Sequence, residues 1–366
     1  MTGSVDNDDI GYSSNPEPMQ LSILAAGRVY ERIRSQLPYV PQVRIHKVAD
    51  IIPYQDILKR TPNTDPGFGK YDYVQLDPEK PWEIPESFFD KPDAVGGCGP
   101  GGVHDYQIRA AFENGAQVVY SEKPLAPTEE RFVDIADWLQ SQKYDEFLLM
   151  NAHFSRKESA KRLIFMMPIL AKAYGRVIHA YSAFKDAPMY KFHSDWRGLR
   201  MHGGLEAELM IHYITIFKLL GLNSMTLAPP VRLETEGPYE TKIFANFLAS
   251  KNDYFAEGAN LEFDLARFST EERENKMIEL EFERENAKAI LDFETAMLTV
   301  TENGREVVNE HCRGINEYQA MLEDLFAMFK HGSAPPLTLS QIGEIHEPIW
   351  QIHRAIDEGQ VKSYFN

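Results

Sequence analysis

The sequence predicts a two-part chain, in which an α/β region with a doubly wound parallel sheet precedes an α+β region built on a large, mostly antiparallel open sheet. Strand-like apolar runs alternate with helical segments up to about residue 150, which is typical of βαβ units. Between residues 230 and 308, apolar and polar residues alternate as in antiparallel strands. A length of 366 residues exceeds one ordinary core. We therefore place two domains at 19–150 and 151–366, after a polar, disordered leader at 1–18.

The composition indicates a globular protein and narrows its partners. Hydrophobic residues make up 43% of the chain and charged residues 25%, with a net charge of −17. This charge argues against nucleic acid and anionic membranes as general partners, although a local basic cluster can still hold a small anionic substrate. Cys98 and Cys312 form neither a disulfide framework nor a metal-binding spacing, which suits a reducing cytoplasm. We recognise no transmembrane run and no signal peptide.

The first strand, turn and helix predict a Rossmann-type dinucleotide-binding unit. An apolar strand at residues 21–24 leads into the turn Ala25-Ala26-Gly27-Arg28-Val29, a helix follows to about residue 37, and a second strand ends in Asp50. Gly27 lets the main chain approach a pyrophosphate. Asp50 stands close to the usual spacing of about 20 residues after the turn. A carboxylate there binds ribose hydroxyls and repels a 2′-phosphate, so the sequence favours NAD over NADP.

The glycine fingerprint departs from its usual pattern at two positions. Ala25 and Tyr30 stand at the first and third glycine positions, and the third glycine normally allows the helix to pack closely on the strand. A Tyr30 side chain that fills the pyrophosphate space would indicate a protein that binds no cofactor. A Tyr30 side chain that points away would leave the turn able to bind a dinucleotide.

Two further stretches of the amino-terminal region need an interpretation. Residues 61–92 hold many prolines, aspartates and aromatic residues, and we interpret them as an extended excursion that forms an ordered flap. After a strand at residues 93–98, the turn Gly99-Pro100-Gly101-Gly102 precedes His104. Its glycines predict a close approach of the main chain to a ligand, with a plain turn as the alternative.

The triplet Glu122-Lys123-Pro124 is the strongest candidate for catalysis. It follows a short apolar strand that begins at residue 118, and the carboxyl ends of strands are where open α/β sheets bind ligands. Pro124 restricts the backbone of Lys123. A lysine held there, partly desolvated and beside a carboxylate, is a candidate proton carrier, whereas the alternative is a surface lysine in a turn.

The helix predicted at residues 205–220 carries a second candidate group. Glu208, His212 and Thr215 share one face at i, i+4 and i+7 spacing, so that Glu208 can orient His212 and raise its basicity. His212 could then remove a hydroxyl proton while Lys123 polarises the same oxygen. A surface pair of little energetic value is the alternative.

The remaining features of the second half concern a loop and a sheet. The loop at 185–204 concentrates basic and aromatic residues, among them Trp196 and Arg197, which suit a phosphate, a carboxylate or a sugar ring. Asn303-Gly304 is a strong hairpin signal within the antiparallel region. Charged residues alternate with apolar ones along its strands, which predicts a sheet face that is polar or faces another subunit. Helices at about 317–330 and 340–357 close the chain.

In this order, the motifs resemble those of the glucose–fructose oxidoreductase/inositol dehydrogenase/rhizopine-catabolism (Gfo/Idh/MocA) family. The motifs that carry the resemblance are the turn at 24–29, Val48-Ala49-Asp50, Gly99-Pro100 with His104, Glu122-Lys123-Pro124, Trp196-Arg197 and the segment 202–212. The resemblance spans about residues 20–360. Glu208 stands where the family has aspartate, and Met210 where it has glycine.

This resemblance implies an NAD-dependent oxidoreductase that acts on a secondary alcohol, or on the ketone, of a sugar, sugar derivative or cyclitol. It implies Lys123, His212 and Glu208 as catalytic residues. The cofactor-binding residues would be Ala26, Gly27, Arg28, Val29, Asp50, Cys98, Gly99, Pro100, His104, Glu122 and Lys123. The substrate-binding residues would be His153, Trp196, Arg197 and His212. A homodimer or homotetramer through the C-terminal sheet is also implied.

The alternative function belongs to a different class. A cofactor-free or redox-neutral descendant of the same fold would act as a lyase or isomerase, or as a binding or regulatory protein, because fold alone does not decide function. Ala25, Tyr30 and the excursion after Asp50 motivate this hypothesis. Nucleotide binding discriminates between the two classes.

Overall fold

The computed structural model describes residues 17–25, 27–52, 72–80, 83–90, 92–185, 199–237, 239–267 and 275–363. The side chains of residues 28, 200, 236 and 363 are not described. The predicted leader therefore lies almost entirely outside the described residues, as does the loop that carries Trp196 and Arg197.

Parallel strands form the amino-terminal sheet. Its strands within the described ranges are Met19–Leu24 (β1), Val43–Asp50 (β2), Asp72–Gln75 (β3), Ala94–Gly97 (β4), Val118–Glu122 (β5) and Leu148–Asn151 (β6). They lie in the order β3-β2-β1-β4-β5-β6, and every pair is parallel. This order is that of a doubly wound dinucleotide-binding sheet, so the predicted fold of this region is confirmed.

Helices cover both faces of this sheet. The α-helices of the described residues are Arg28–Gln36 (α1), His104–Glu113 (α2), Glu129–Gln142 (α3), His153–Arg156 (α4), Glu158–Tyr174 (α5), Gly204–Leu219 (α6), Glu317–His331 (α7) and Leu339–Asp357 (α8). Successive side chains of β5 point to opposite faces, so Val119 packs in one core cluster and Val118 and Tyr120 in the other. None of these helices is long and apolar enough to cross a membrane.

Helix α7 comes late in the chain and packs on the first sheet. Its residues Tyr318, Met321 and Leu325 share a core cluster with Ile33 of α1 and with β1. A helix that follows the second sheet in sequence therefore completes the core of the first. The division of the chain into 19–150 and 151–366 stays a prediction.

The interpretation of residues 61–92 as an excursion needs a correction. Asp72–Gln75 is a strand that pairs in parallel with β2 at the edge of the sheet. Its four residues are exposed or half-buried, and an edge strand does not need the continuous apolar run that identified the central strands. Residues 61–71 lie outside the described ranges.

The second sheet is large, open and mostly antiparallel, as predicted. Its strands in the described residues are Val177–Lys185 (β7), Met225–Glu236 (β8), Tyr239–Ala249 (β9), Phe255–Ala266 (β10), Asn275–Phe282 (β11), Lys288–Asp292 (β12), Met297–Glu302 (β13), Arg305–His311 (β14) and Val361–Ser363 (β15). Only the β7–β10 and β8–β15 pairs are parallel. The predicted hairpin between β13 and β14 is confirmed, with Asn303 and Gly304 both at positive φ.

Helix α6 packs on the second sheet and against α8. Every residue from Gly204 to Phe217 is buried except Glu208. The sequence predicted a polar face on this helix, but protein encloses it on nearly all sides. Within this stretch the one incompletely buried side chain, Glu208, lines the cleft described next.

Candidate active site

A cleft of about 1650 Å³ runs past the carboxyl ends of the strands of the first sheet. The predicted site residues that line it are Gly27, Val29, Asp50, Cys98, Gly99, Pro100, Glu122, Lys123, His153, Glu208 and His212. Ala26, Trp196, Arg197 and the side chain of Arg28 lie outside the described part of the chain. The cleft is larger than a typical small-ligand pocket of roughly 300–1,000 Å³ and suits a dinucleotide together with a substrate.

The turn after β1 leaves room for a ligand. Gly27 is the N-cap of α1, and no described side chain caps this helix start. A Cβ atom added to Gly27 would meet no atom of the described residues within 4 Å, its two chain neighbours aside. Ala25, at the first glycine position, has a φ of +80° and donates its main-chain N–H to the Ala49 carbonyl at 2.7 Å. It thus adopts the conformation that glycine normally supplies, at a cost of about 1–2 kcal/mol.

Tyr30 points away from the cleft. Its side chain has no exposed surface and packs with Ile33, Val40 and the strand residues Leu21 and Ile23. It does not line the cleft, whereas Val29 beside it does. The tyrosine at the third glycine position therefore fills the core beneath α1 and leaves the predicted pyrophosphate space open.

Asp50 lies at the carboxyl end of β2 and lines the same end of the cleft. Its side chain is largely buried, and its Oδ1 accepts a hydrogen bond from the Ile52 amide at 2.8 Å. This bond holds the carboxylate at the end of the strand, where a ribose hydroxyl can reach it.

The glycine-rich turn after β4 is packed more tightly than predicted. A Cβ on Gly99 would lie 2.8 Å from the Gln107 amide nitrogen, and one on Gly101 would lie 2.6 Å from the His202 carbonyl. Gly102 donates its N–H to Nδ1 of His202 at 3.2 Å. These glycines therefore make room for neighbouring protein groups, although Gly99 and Pro100 still line the cleft.

His104 is the one described member of the predicted cofactor-binding set that does not line the cleft. Its ring nitrogens lie 2.6 Å from the Pro124 carbonyl and 2.7 Å from the Gly99 carbonyl. Burial lowers its pKa, and the two carbonyls partly offset this effect. His104 thus connects the glycine-rich turn to the segment after Lys123, whose peptide bond to Pro124 is cis. These contacts suit a positioning role, and the cofactor contact of His104 stays a prediction.

Lys123, Glu208 and Arg267 form a buried ion cluster at the other end of the cleft. The Lys123 ammonium lies 2.8 Å from Oε2 of Glu208 and also donates to the main-chain carbonyl of Glu208. Arg267, at the end of β10, donates to Oε1 of Glu208 at 3.0 Å. The Lys123 and Arg267 side chains are only 5% and 6% exposed. Both cations are therefore held in place by one carboxylate.

The predicted pairing of Glu208 with His212 needs a correction. The carboxylate of Glu208 contacts the two cations, and no hydrogen bond joins it to His212 among the described residues. Residues at i and i+4 of a helix share a face, but the longer glutamate side chain reaches across the cleft to Lys123. A charged pair is also a stronger contact than a bond to a neutral imidazole.

His212 and His153 form a pair of uncharged rings beside this cluster. Their ring centroids are 4.2 Å apart, and Phe154 stacks on His212 at 4.5 Å. Burial and the Lys123 charge lower the pKa of each histidine well below its usual value, and the His153 ring adds to this effect on His212. Nδ1 of each ring is buried and has no hydrogen-bond partner in the described part of the chain. Both rings line the cleft, and a neutral imidazole there is suited to accept a proton from a ligand.

Glu122 lies at the floor of the cleft between its two ends. Oε1 of Glu122 accepts a hydrogen bond from the Asn151 amide at 2.8 Å and another from the Tyr120 hydroxyl.

Burial, and then the charge of Glu122, raise the pKa of the Cys98 thiol well above its usual value. Cys98 is therefore a thiol and not a reactive thiolate.

Several cleft residues were missed by the sequence interpretation. They are Arg32, Arg131, Lys157, Arg267, Lys276 and Tyr318. Arg267 carries the only signal that sequence could have used, since it is a charged residue directly after an apolar strand. The others come from distant parts of the chain and meet only in the folded protein.

The residues present fit a nicotinamide dinucleotide. An uncapped helix start beside an open glycine binds a pyrophosphate through main-chain N–H groups and the helix dipole. A carboxylate at the end of the second strand suits the ribose hydroxyls. The cleft continues from these groups to Lys123 and His212.

No protein-family model matches the sequence, and no curated protein matches it by sequence. Solved structures do match the fold. A 3-ketoreductase from Actinomadura kijaniata in complex with NADP and TDP-benzene has 14% identity and a TM-score of 0.74, over 95% of this chain and 99% of that one. Levoglucosan dehydrogenase in complex with NADH has 15% identity and a TM-score of 0.72, over 93% and 98%.

A third match gives the same result. UDP-N-acetylglucosamine 3-dehydrogenase from Acidithiobacillus ferrooxidans has 13% identity and a TM-score of 0.67, over 92% of this chain and 97% of that one. The chain therefore has the two-part fold of these sugar oxidoreductases, as the family resemblance predicted.

Proposed function

We propose that this chain is an NAD-dependent oxidoreductase that acts on a secondary alcohol, or on the corresponding ketone, of a sugar-type substrate. The observation that carries the proposal is one continuous cleft. It joins the open start of α1 and Asp50 to the cluster of Lys123, Glu208 and Arg267 beside His212. The sugar oxidoreductases that share the fold support the class of reaction and of substrate.

The amino-terminal end of the cleft would hold the cofactor. Gly27 and the start of α1 would bind its pyrophosphate, and Asp50 would bind the adenosine ribose and disfavour a 2′-phosphate. When bound, the nicotinamide ring supplies the hydride acceptor or donor. Neighbours of the same fold have been solved with NADH and with NADP, and Asp50 is the reason to propose NAD here.

The other end of the cleft would manage the proton. An ammonium group has three donors, and Lys123 uses two of them on Glu208. The third is available to a substrate oxygen, which it polarises. His212 is neutral, and its ring can accept the hydroxyl proton during oxidation and return it during reduction. Arg267 holds Glu208, and Glu208 in turn holds Lys123 at the substrate oxygen.

A calorimetric titration with NADH and NADPH tests this proposal, together with a search for nucleotide released when the purified protein is denatured. We expect NADH to bind at least about tenfold more tightly than NADPH. Gly27→Val offers a matched test, because a Cβ at this position meets no atom within 4 Å in the described part of the chain beyond its two neighbours in sequence. This variant should keep the stability of the parent protein and lose NADH binding.

Failure of both nucleotides to bind, with none carried through purification, would contradict the proposal. The cofactor-free lyase, isomerase or binding protein would then be the better hypothesis. The buried position of Tyr30 removes one of the observations that motivated that alternative.

We also propose that the protein is a cytoplasmic homodimer or homotetramer that associates through the open face of the second sheet. This face carries several ion pairs, among them His179 with Glu262 at 3.3 Å and with Glu281 at 3.4 Å. Both cysteines are free thiols, which suits a reducing compartment. Sedimentation velocity would give the oligomeric state, and a monomer at micromolar concentration would contradict this part of the proposal.

A further inference from the structure

Lys157 places a positive charge in the cleft without a carboxylate partner. It follows the short helix α4 and is the N-cap of α5. Its ammonium lies 3.2 Å from the Phe293 carbonyl and 4.9 Å from the centre of the Phe154 ring. No ion pair joins it to any carboxylate of the described residues. The side chain is half-buried and lines the cleft.

A second lysine strengthens the positive potential at this place. Lys276, near the start of β11, also lines the cleft, and its ammonium lies 5.1 Å from the centre of the Phe184 ring. It pairs with Glu294 at 2.8 Å. Lys157 and Lys276 therefore line this end of the cleft in addition to Lys123 and Arg267. The carboxylates that line the cleft near these four cations are those of Glu208, Glu294 and Glu317. Such a local surplus of positive charge stands out in a chain of net charge −17.

The half-buried ammonium of Lys157 contacts the Phe293 carbonyl and the rings of Phe154 and Phe293, so water solvates it only in part. Burial lowers the pKa of Lys157. The charges of Glu317 and Glu294 offset this effect, whereas those of Lys276 and Arg32 add to it. A bound anion would supply the missing counter-charge. A bound anion would thus give Lys157 the counter-charge that Lys123 and Arg267 receive from Glu208.

The position of Lys157 relates it to the reacting groups. Phe154 lies beneath the Lys157 ammonium and also stacks on His212, with ring planes inclined by 17°. A ligand with one end at the ammonium and the other at the His212 ring would therefore extend past the Phe154 ring. A polyol with a charged substituent several bonds from the reacting hydroxyl has this shape.

We infer that Lys157, assisted by Lys276, is an anion subsite, and that the substrate is a sugar or cyclitol that carries a carboxylate or a phosphate monoester. This inference rests on the proposed function, since it assigns the anion to the substrate of that reaction. The positive charge of Lys157 binds the anionic group and so sets which hydroxyl carbon lies between Lys123 and His212.

The test compares D-glucuronate, D-glucose 6-phosphate and neutral D-glucose as ligands, by titration of the full chain at low ionic strength. We expect at least one of the two anions to bind ten times more tightly than glucose, and the better anion identifies a carboxylate or a phosphate subsite. Lys157→Met keeps the aliphatic stem over Phe154 and should remove this preference. Lys157→Arg should retain most of it.

The control is Lys161→Met, which makes the same chemical change four residues later on α5, at an exposed position outside the cleft. It should leave the preference for the anion intact. The inference is overturned if neither anion binds better than glucose, or if Lys157→Met binds the anion as well as the parent protein does. A loss of NADH affinity in Lys157→Met would also overturn it, because the ammonium would then serve the cofactor.

Binding of NADH, followed by fluorescence on the same samples, separates this inference from the proposed function. A parent protein that binds the anion through Lys157 but does not bind NADH would keep the subsite and contradict the oxidoreductase. A protein that binds NADH without any preference for the anion would do the reverse.

Discussion

The amino-terminal end of the cleft is formed mostly by main chain, whereas the opposite end is formed by charged and aromatic side chains. At the first end, the open start of α1 and Gly27 offer N–H groups and space, and Asp50 is the one predicted acidic side chain. At the second, a carboxylate holds two buried cations beside two neutral histidines. The main-chain end suits a dinucleotide, which many unrelated proteins bind in the same way. The end formed by side chains suits one particular reaction.

This difference also explains why departures from the usual motifs have different consequences at the two ends. Ala25 and Tyr30 change side chains in a turn that we propose to bind the cofactor through its main chain, and both are accommodated locally. Glu208 changes a side chain in a cluster that is held mainly by side-chain ion pairs. Its carboxylate contacts both Lys123 and Arg267.

The largest effect is expected from Lys123→Ala, which removes the group that polarises the substrate oxygen. Turnover should fall by about 10²–10⁴-fold, the range for a lost acid–base group. NADH affinity should stay within a few-fold, because the binding groups at the other end of the cleft are untouched. Steady-state kinetics with an NADH titration would check both, and unchanged turnover would refute the assigned role.

Arg267→Met should lower kcat by about 10–100-fold through Glu208, since the carboxylate loses one of the two cations that fix it. Arg267→Lys restores a charge and should recover part of the loss. If Arg267 had only a structural role, Arg267→Met would reduce stability without moving the pH profile of kcat. A shifted profile in Arg267→Met, with partial rescue by lysine, therefore supports the positioning role, and an unshifted profile contradicts it.

Asp50→Ala tests the cofactor end alone. NADH affinity should fall by about tenfold, and the preference over NADPH should shrink, because the carboxylate both accepts bonds from ribose and repels a 2′-phosphate. The turnover number at saturating cofactor should change little. If affinity and preference both stay the same in binding titrations, Asp50 does not belong to the site.

The buried histidines predict how stability depends on pH. The folded-state pKa of His212 lies well below its usual value, so below about pH 6.5 the unfolded chain binds a proton that the folded chain does not. Stability should therefore fall as the pH drops from 7 towards 5, by up to about 1.4 kcal/mol per pH unit for each such histidine. His212→Gln should flatten the dependence in urea unfolding, whereas His331→Gln, an exposed control, should leave it as steep.

His346 should add to the same acid sensitivity from outside the cleft. Burial lowers its pKa to about 4, against the favourable bond from its ring to the Ile342 carbonyl. A midpoint of urea unfolding that does not change between pH 7 and pH 5 would contradict the neutral state assigned to the rings of His212 and His346.

The smallest effect is expected from Ala25→Gly. Relief of a positive φ gains about 1–2 kcal/mol, and the extra freedom of glycine in the unfolded chain costs about 0.5–1 kcal/mol. The net gain in unfolding free energy should be roughly 0.5–1 kcal/mol. Ala136→Gly within α3 is the control and should destabilise instead. A loss of stability in Ala25→Gly would show that the turn is not strained.

The sequence alone determined the periodic parts of this protein. Continuous apolar runs identified the central parallel strands, which are buried on both faces. Apolar periods of two and of 3.6 residues identified the antiparallel strands and the closing helices, because burial on one face of a sheet or helix repeats with those periods. The short edge strand Asp72–Gln75 was missed since it has no buried face to impose a period. Lys123 was found because its place follows from the strand before it.

Only the tertiary structure decided which charges meet in the cleft. Helical spacing placed Glu208 next to His212, but the carboxylate pairs with Lys123 and with Arg267, which is 59 residues away along the chain. Lys157 and Lys276 likewise reach the same cleft from different elements. A residue's local sequence specifies the element on which it sits and the direction of its side chain. Its partners depend on how distant elements pack, and that is set by the burial of the whole core.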